Sequence, residues 1–114
     1  MKVASLRLHY SVPEKSKADL PGVERGLWGY VQEDSVADAF LLSLADNDKW
    51  SGHERFFITA PITSSRQDTV SLLSKHWPDV PIKEGKSISG KQGLFDCSKA
   101  GALLGWYHRD TGVC

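Results

Sequence analysis

The stretch Asp96-Cys97-Ser98-Lys99-Ala100, closing on Leu104-Gly105-Trp106, marks both ends of one short helix. The Asp96 carboxylate can accept a free backbone N–H at a helix start. Ala100, Leu103 and Leu104 then lay one apolar stripe along the helix. Gly105 stands just past the end, where the backbone favours positive φ. Trp106 follows as a large anchor. A helix with both ends fixed therefore finishes whatever this chain folds into.

The rest of the chain supplies strands and helices in alternation. Val3 to Tyr10 alternates, with Leu6, Leu8 and Tyr10 on one side and Ser5, Arg7 and His9 on the other. That is a strand with one buried face, ended by Pro13. Glu14 to Gly26 is charged, carries Pro21-Gly22, and reads as a loop with room for one helical turn. Leu27 to Val31 reads as extended. Ser35 is the expected cap of a helix running to about Ala45, with Val36, Ala39, Phe40 and Leu44 inward and Asp46-Asn47-Asp48 as the stop. Trp50 to His53 is a turn. Arg55 to Ala60 is a strand closed by Pro61. Thr63 or Ser64 is expected to cap a third helix, whose core face is Val70, Leu73 and Trp77 and whose end is Pro78. Val80-Pro81-Ile82 reads as a short strand, and Glu84 to Gln92 as a polar loop.

Size and charge narrow the function classes. With 114 residues there is room for one domain, 1–114. Lys plus Arg equals Asp plus Glu at 14 each, so nothing draws the chain electrostatically to nucleic acid or an anionic membrane. No apolar run approaches the roughly 20 residues needed to span a bilayer. Met1 to Arg7 has no long apolar core, so no signal peptide is expected. The two cysteines, Cys97 and Cys114, make no disulfide framework and no metal-ligand spacing with His. A cytoplasmic location is the default expectation, and no metal is expected.

Four segments in order resemble the extended short-chain dehydrogenases/reductases, the NAD-dependent epimerase/dehydratase family. Leu6-Arg7-Leu8-His9-Tyr10 through Pro13 is similar to a late strand of the family's dinucleotide domain. Tyr30-Val31-Gln32-Glu33-Asp34-Ser35-Val36-Ala37 resembles the family's aromatic-Val-His-Val-x-Asp-aliphatic-Ala segment. Phe56-Phe57-Ile58-Thr59-Ala60 matches its sheet-edge strand. Asp96, Ser98, Lys99, Ala100, Leu104, Gly105 and Trp106 match its C-terminal signature best. Three departures fall together: Gln32 for the family's His, Glu33 for an apolar Val, and Ser35 for the capping Asp. The family's Gly-rich cofactor turn does not occur after a strand here. Nor does its Tyr-x-x-x-Lys: Glu14, Asp34 and Thr111 follow the three tyrosines at that spacing. The resemblance thus implies the substrate-binding part without the dinucleotide-binding part, and no NAD(P) cofactor is expected.

Several residues are candidates for a site. Glu33 and Asp34 could act as acid and base; equally, both could sit in a helix's first turn, where negative charge suits the dipole. His9 could shuttle protons or be an ordinary strand histidine facing solvent. Tyr30 completes the catalytic candidates. Tyr10, Arg25, Trp28, Trp106 and Tyr107 are candidates for substrate binding, as an aromatic pocket with a cation; aromatics also fill small cores. His53 and His76 read as surface residues, and His108 as part of a frayed tail. Ser64-Ser65-Arg66 could hold phosphate at a helix start or simply cap it.

The expected fold is α+β: a small mixed sheet with three main helices packed on it, the remnant of an extended-reductase substrate domain. The expected function is binding of a small organic molecule. One reading makes the chain a cofactor-independent isomerase, cyclase or lyase. A second makes it a non-catalytic binding module, and a third a piece of an NAD(P)-dependent epimerase or reductase, against which Met1 weighs. Strands taken from a larger parallel sheet keep bare edges and uncovered apolar faces. A homodimer or higher homo-oligomer is therefore expected.

Overall fold

The computed structural model describes residues 1–45 and 47–109. The expected stop at Asp46 and the terminal Cys114 lie outside them. In chain order the elements are β1 (Val3–Leu8), β2 (Tyr10–Val12), β3 (Tyr30–Gln32), α1 (Glu33–Leu44), β4 (His53–Ile58), α2 (Thr69–His76) and α3 (Ser98–Leu104). Two short 3-10 turns, Lys15–Ala18 and Val23–Gly26, lie between β2 and β3. Among the described residues this is an α+β fold with three α-helices, as the sequence implies. Among the described residues no helix is long and apolar enough to cross a membrane.

The small sheet is divided into two parallel pairs. β1 lies on β4, from Val3 opposite His53 to Leu8 opposite Ile58. β2 lies on β3, from Tyr10 opposite Tyr30 to Val12 opposite Gln32. Parallel pairing cannot be made by a tight hairpin and needs a long crossover. The charged loop over 13–29 is that crossover for β2 and β3. β1 and β2 are one run of chain interrupted at His9, whose N–H still reaches the Ile58 carbonyl at 3.3 Å. Beyond it the chain changes partner from β4 to β3. The seam is closed by the Ala60 N–H on the Tyr30 carbonyl at 2.8 Å.

The change of partner overrides the expected alternation. Ala4 and Leu6 pack on the main core, but Leu8 and Tyr10 are 43% and 51% exposed. His9, placed by alternation on the solvent side, is half-buried instead. The main core gathers Val31, Ala39, Trp50, Phe56, Ile58, Ala100, Leu104 and Trp106. A smaller one holds Val12, Ala18, Tyr30 and Ala60 beneath the crossover.

The helices differ from expectation in start and in facing. α1 begins at Glu33, because Gln32 and not Ser35 is its cap: the Gln32 Oε1 accepts the Ser35 N–H at 3.0 Å. Its buried residues are Ser35 and Ala39, with Val36 and Leu42 at the margin. Phe40 and Leu44, expected inward, are 50% and 84% exposed. Small residues line the inner face because the Trp106 indole packs there. α2 starts after Asp68, not after Thr63 or Ser64, which are buried in the preceding loop. It buries Thr69 and Leu72, and leaves Val70 and Trp77 partly exposed. Val80 to Ile82 forms no strand, and Leu27 and Trp28 are not extended: both have left-handed φ, 54° and 57°. α3 keeps both end signals, but the residue in its cap position is Cys97 and not Asp96. Asp96, one residue earlier, takes the Ser98 N–H on Oδ1 at 2.9 Å, and Gly105 follows the end with φ 71°. Lys99 pairs with Glu54, tying α3 to β4.

Candidate functional site

Trp106 brings the last of the four resembling segments against the second. It is almost fully buried, and its Nε1–H donates to the Ser35 carbonyl at 2.8 Å. An indole N–H in a core needs such a partner. The chain after Trp106 then runs along the start of α1. The Gln32 N–H donates to His108 Nε2 at 3.0 Å. Ser35 Oγ donates to the Arg109 carbonyl at 2.8 Å and accepts the Arg109 N–H at 2.9 Å. The Arg109 guanidinium grips Asp38 through two bonds, at 2.7 and 3.1 Å. That fork holds the Asp38 carboxyl below its ordinary range and raises Arg109.

Beside this strap lies an open cleft of about 820 Å³. Phe95, Trp106 and Tyr107 supply its aromatic wall, and Gln92, Asp96 and Ser98 supply polar groups. Ser98 holds the Asp96 carboxyl low through its hydroxyl and its N–H, with a smaller contribution from the Lys86 charge. Asp96 is therefore an ionised acceptor. Burial pushes the neighbouring Cys97 thiol up, and the Asp96 charge adds to that. A thiol so placed is a poor nucleophile.

His9 lies one layer behind the cleft. Its ring centre lies 4.1 Å from that of Phe95, the two planes tilted by 55°, and Phe95 in turn lies 5.8 Å from Phe57. Gly29 makes the room: a Cβ there would stand 2.7 Å from the His9 ring carbon Cδ2. Among the described residues the His9 Nδ1 is buried without a hydrogen-bond partner. Burial lowers the imidazole pKa from its ordinary 6.5, while the nearby Ile58 carbonyl pulls weakly the other way.

The remaining candidates scatter. Glu33 and Asp34 are exposed in the first turn of α1, where they suit its dipole. Asp34 accepts from Gln32 Nε2 at 3.2 Å, and the same Nε2 reaches the Pro13 carbonyl at 3.1 Å. Tyr30 is sealed in the core, edge-on to His108 at 5.5 Å. Tyr10 is its register partner and half-exposed. Trp28 is buried against the edge of His76. Arg25 lines a second groove, described below. Only Trp106 and Tyr107 of the nine candidates wall the cleft.

The sequence reading missed Phe95, Gln32 as a cap, and His108. His108 is no part of a frayed tail, since it sits between Tyr30 and Trp106 and accepts a backbone N–H. The available signal was its place two residues after an anchored tryptophan. Among the described residues no three His, Cys, Asp or Glu side chains gather as metal ligands. No protein-family model, no curated protein and no solved structure matches this chain.

Proposed function

We propose that this chain is a small-molecule-binding domain on the plan of the substrate-binding part of an extended short-chain dehydrogenase/reductase. The observation that carries the reading is the junction of two of its four resembling segments. Tyr30 to Ala37 and Asp96 to Trp106 lie about seventy positions apart, yet the Trp106–Ser35 bond joins them beside a cleft. A volume of about 820 Å³ falls in the range that takes a small organic molecule. The aromatic wall offers stacking area, and Asp96 offers an anionic acceptor for hydroxyl or amide donors.

Binding without catalysis is the reading the geometry favours. Glu33, Asp34, Tyr30 and His9 do not face one another across a space where substrate could sit. One observation keeps a cofactor-independent isomerase, cyclase or lyase as the second reading: His9, its pKa lowered by burial, has a buried nitrogen with no partner among the described residues, one ring behind the cleft. In either case a second copy would cover the exposed apolar residues of α1, making a homodimer or larger assembly. The cytoplasm is the compartment that fits, since it would keep Cys97 reduced.

Ligand-observed NMR with a fragment library tests the binding reading. Fragments with an aromatic ring and a hydroxyl or amide donor are expected to bind, and to lose binding in Ala102→Trp, which fills the cleft from its exposed rim. Micromolar affinity of NAD+ for the isolated chain, or fragments indifferent to Ala102→Trp, would overturn it. For the catalytic reading, Glu33→Gln and His9→Ala with unchanged turnover would exclude those two residues.

A further inference from the structure

A second groove, of about 590 Å³, opens on the other side of Leu94, which walls both. Its sides are Leu27, Leu73, Trp77, Val80, Ile82 and Ile88. All its charged lining residues are cations: Arg25, Lys83 and Lys86. We propose that this groove binds a small amphipathic carboxylate, with an aliphatic or aryl body between α2 and the 80–88 segment and its head among those three cations.

Three observations carry the proposal. First, the walls hold apolar surface in water: Trp77, Val80 and Ile82 are all substantially exposed along one ridge. An apolar body laid on that ridge would remove it from solvent. Second, the charge is one-sided. Among the described residues no Asp or Glu lines the groove, so its cations have no acidic partner within it. A neutral or cationic amphiphile would gain the apolar contact and nothing at the rim, whereas a carboxylate would gain charge-assisted bonds as well. Third, the groove wall is built on an unfavourable backbone. Leu27 and Trp28 are consecutive left-handed residues without being glycine. They are held by the Leu27 N–H on Glu24 O at 3.1 Å and the Trp28 N–H on Val23 O at 3.2 Å. Buried Trp28 anchors the pair, and Leu27 is left in the groove wall. Such backbone concentrates where a shape is needed for a ligand.

The groove shares only Leu94 with the lining of the Phe95–Tyr107 cleft, so Ala102→Trp should leave its occupant in place. The test is titration of the whole chain with decanoate below its micellar concentration, followed by backbone amide NMR. Decanol and decyltrimethylammonium serve as uncharged and cationic counterparts. Decanoate is expected to shift the amides of Leu27, Leu73 and Ile82, and to bind about tenfold more tightly than decanol. The combined Arg25→Ala, Lys83→Ala and Lys86→Ala variant should bring decanoate down to the affinity of decanol. Ile82→Asp should abolish binding, and Leu44→Asp, on the remote apolar face of α1, should not. Equal binding of the three amphiphiles, decanoate binding that survives Ile82→Asp, or no shift at these amides would each overturn the proposal.

Discussion

Trp106 does two jobs with one side chain: its ring fills the core, and its N–H satisfies a carbonyl at the start of α1. Trp106→Phe keeps most of the ring but removes the donor to the Ser35 carbonyl, which as a residue of α1 keeps its place in the helical ladder. We expect a loss of about 0.5–1.5 kcal/mol, the net worth of one hydrogen bond, measurable by urea unfolding. His9 makes the opposite kind of prediction, one in pH. Its pKa is lowered in the folded chain, so between that value and 6.5 the unfolded chain binds more protons. Stability should be fully present above pH 6.5, fall as pH drops through the window, and level off below the folded pKa. His9→Phe fits among Phe57 and Phe95 and carries no proton. Unfolding titrations from pH 7.5 to 5 should show a shallower slope in this variant; an unchanged slope would mean the imidazole is solvated. The low Asp38, Glu54 and Asp96 carboxyls act at lower pH, where their protonation begins.

At the level of elements, the ends of α1 and α3 decide how the cleft is held. Gln32 serves α1 as acceptor for Ser35 and ties it to Pro13 through its amide. Gln32→Ala should cost about 1–2 kcal/mol in thermal or urea unfolding, the size of a lost cap. Gly105→Ala forces a Cβ into left-handed backbone and should cost about 1–2 kcal/mol. α3 was legible in the sequence because its signals are local: Asp96 at one end, Gly105 at the other, a stripe between. α1 was legible as a helix but not in its facing. Phe40 and Leu44 look inward by spacing, yet the inner side is chosen by Trp106, which arrives from about seventy residues away. The same long reach hid His108, whose partners Tyr30 and Gln32 belong to β3. The parallel strands were legible singly, while their pairing, and the switch at His9, depend on residues across a crossover. Of the site, the aromatic wall at Trp106 and Tyr107 was readable; its polar side, Asp96, had been spent on capping alone.

The whole molecule encloses its core incompletely. Its radius of gyration is 15.1 Å, against about 13 Å for a compact domain of this length. Both strand pairs are two strands wide, where parallel sheets are ordinarily covered on both faces. Phe40, Leu41 and Leu44 stand out from α1, with Leu41 70% exposed. Sedimentation velocity across a concentration series should therefore show reversible association. Leu41→Lys with Leu44→Lys should shift it to monomer without loss of the circular-dichroism spectrum. A chain that stays monomeric at every concentration would count against the homo-oligomer. The pairing of β1 with β4 also sets a timetable for biosynthesis. Val3 must wait for His53, about fifty positions later, before its ladder can begin. At roughly 5–20 residues per second, newly made β1 waits seconds for its partner as a lone strand. Holding chaperones would have their greatest claim on this polypeptide in that interval.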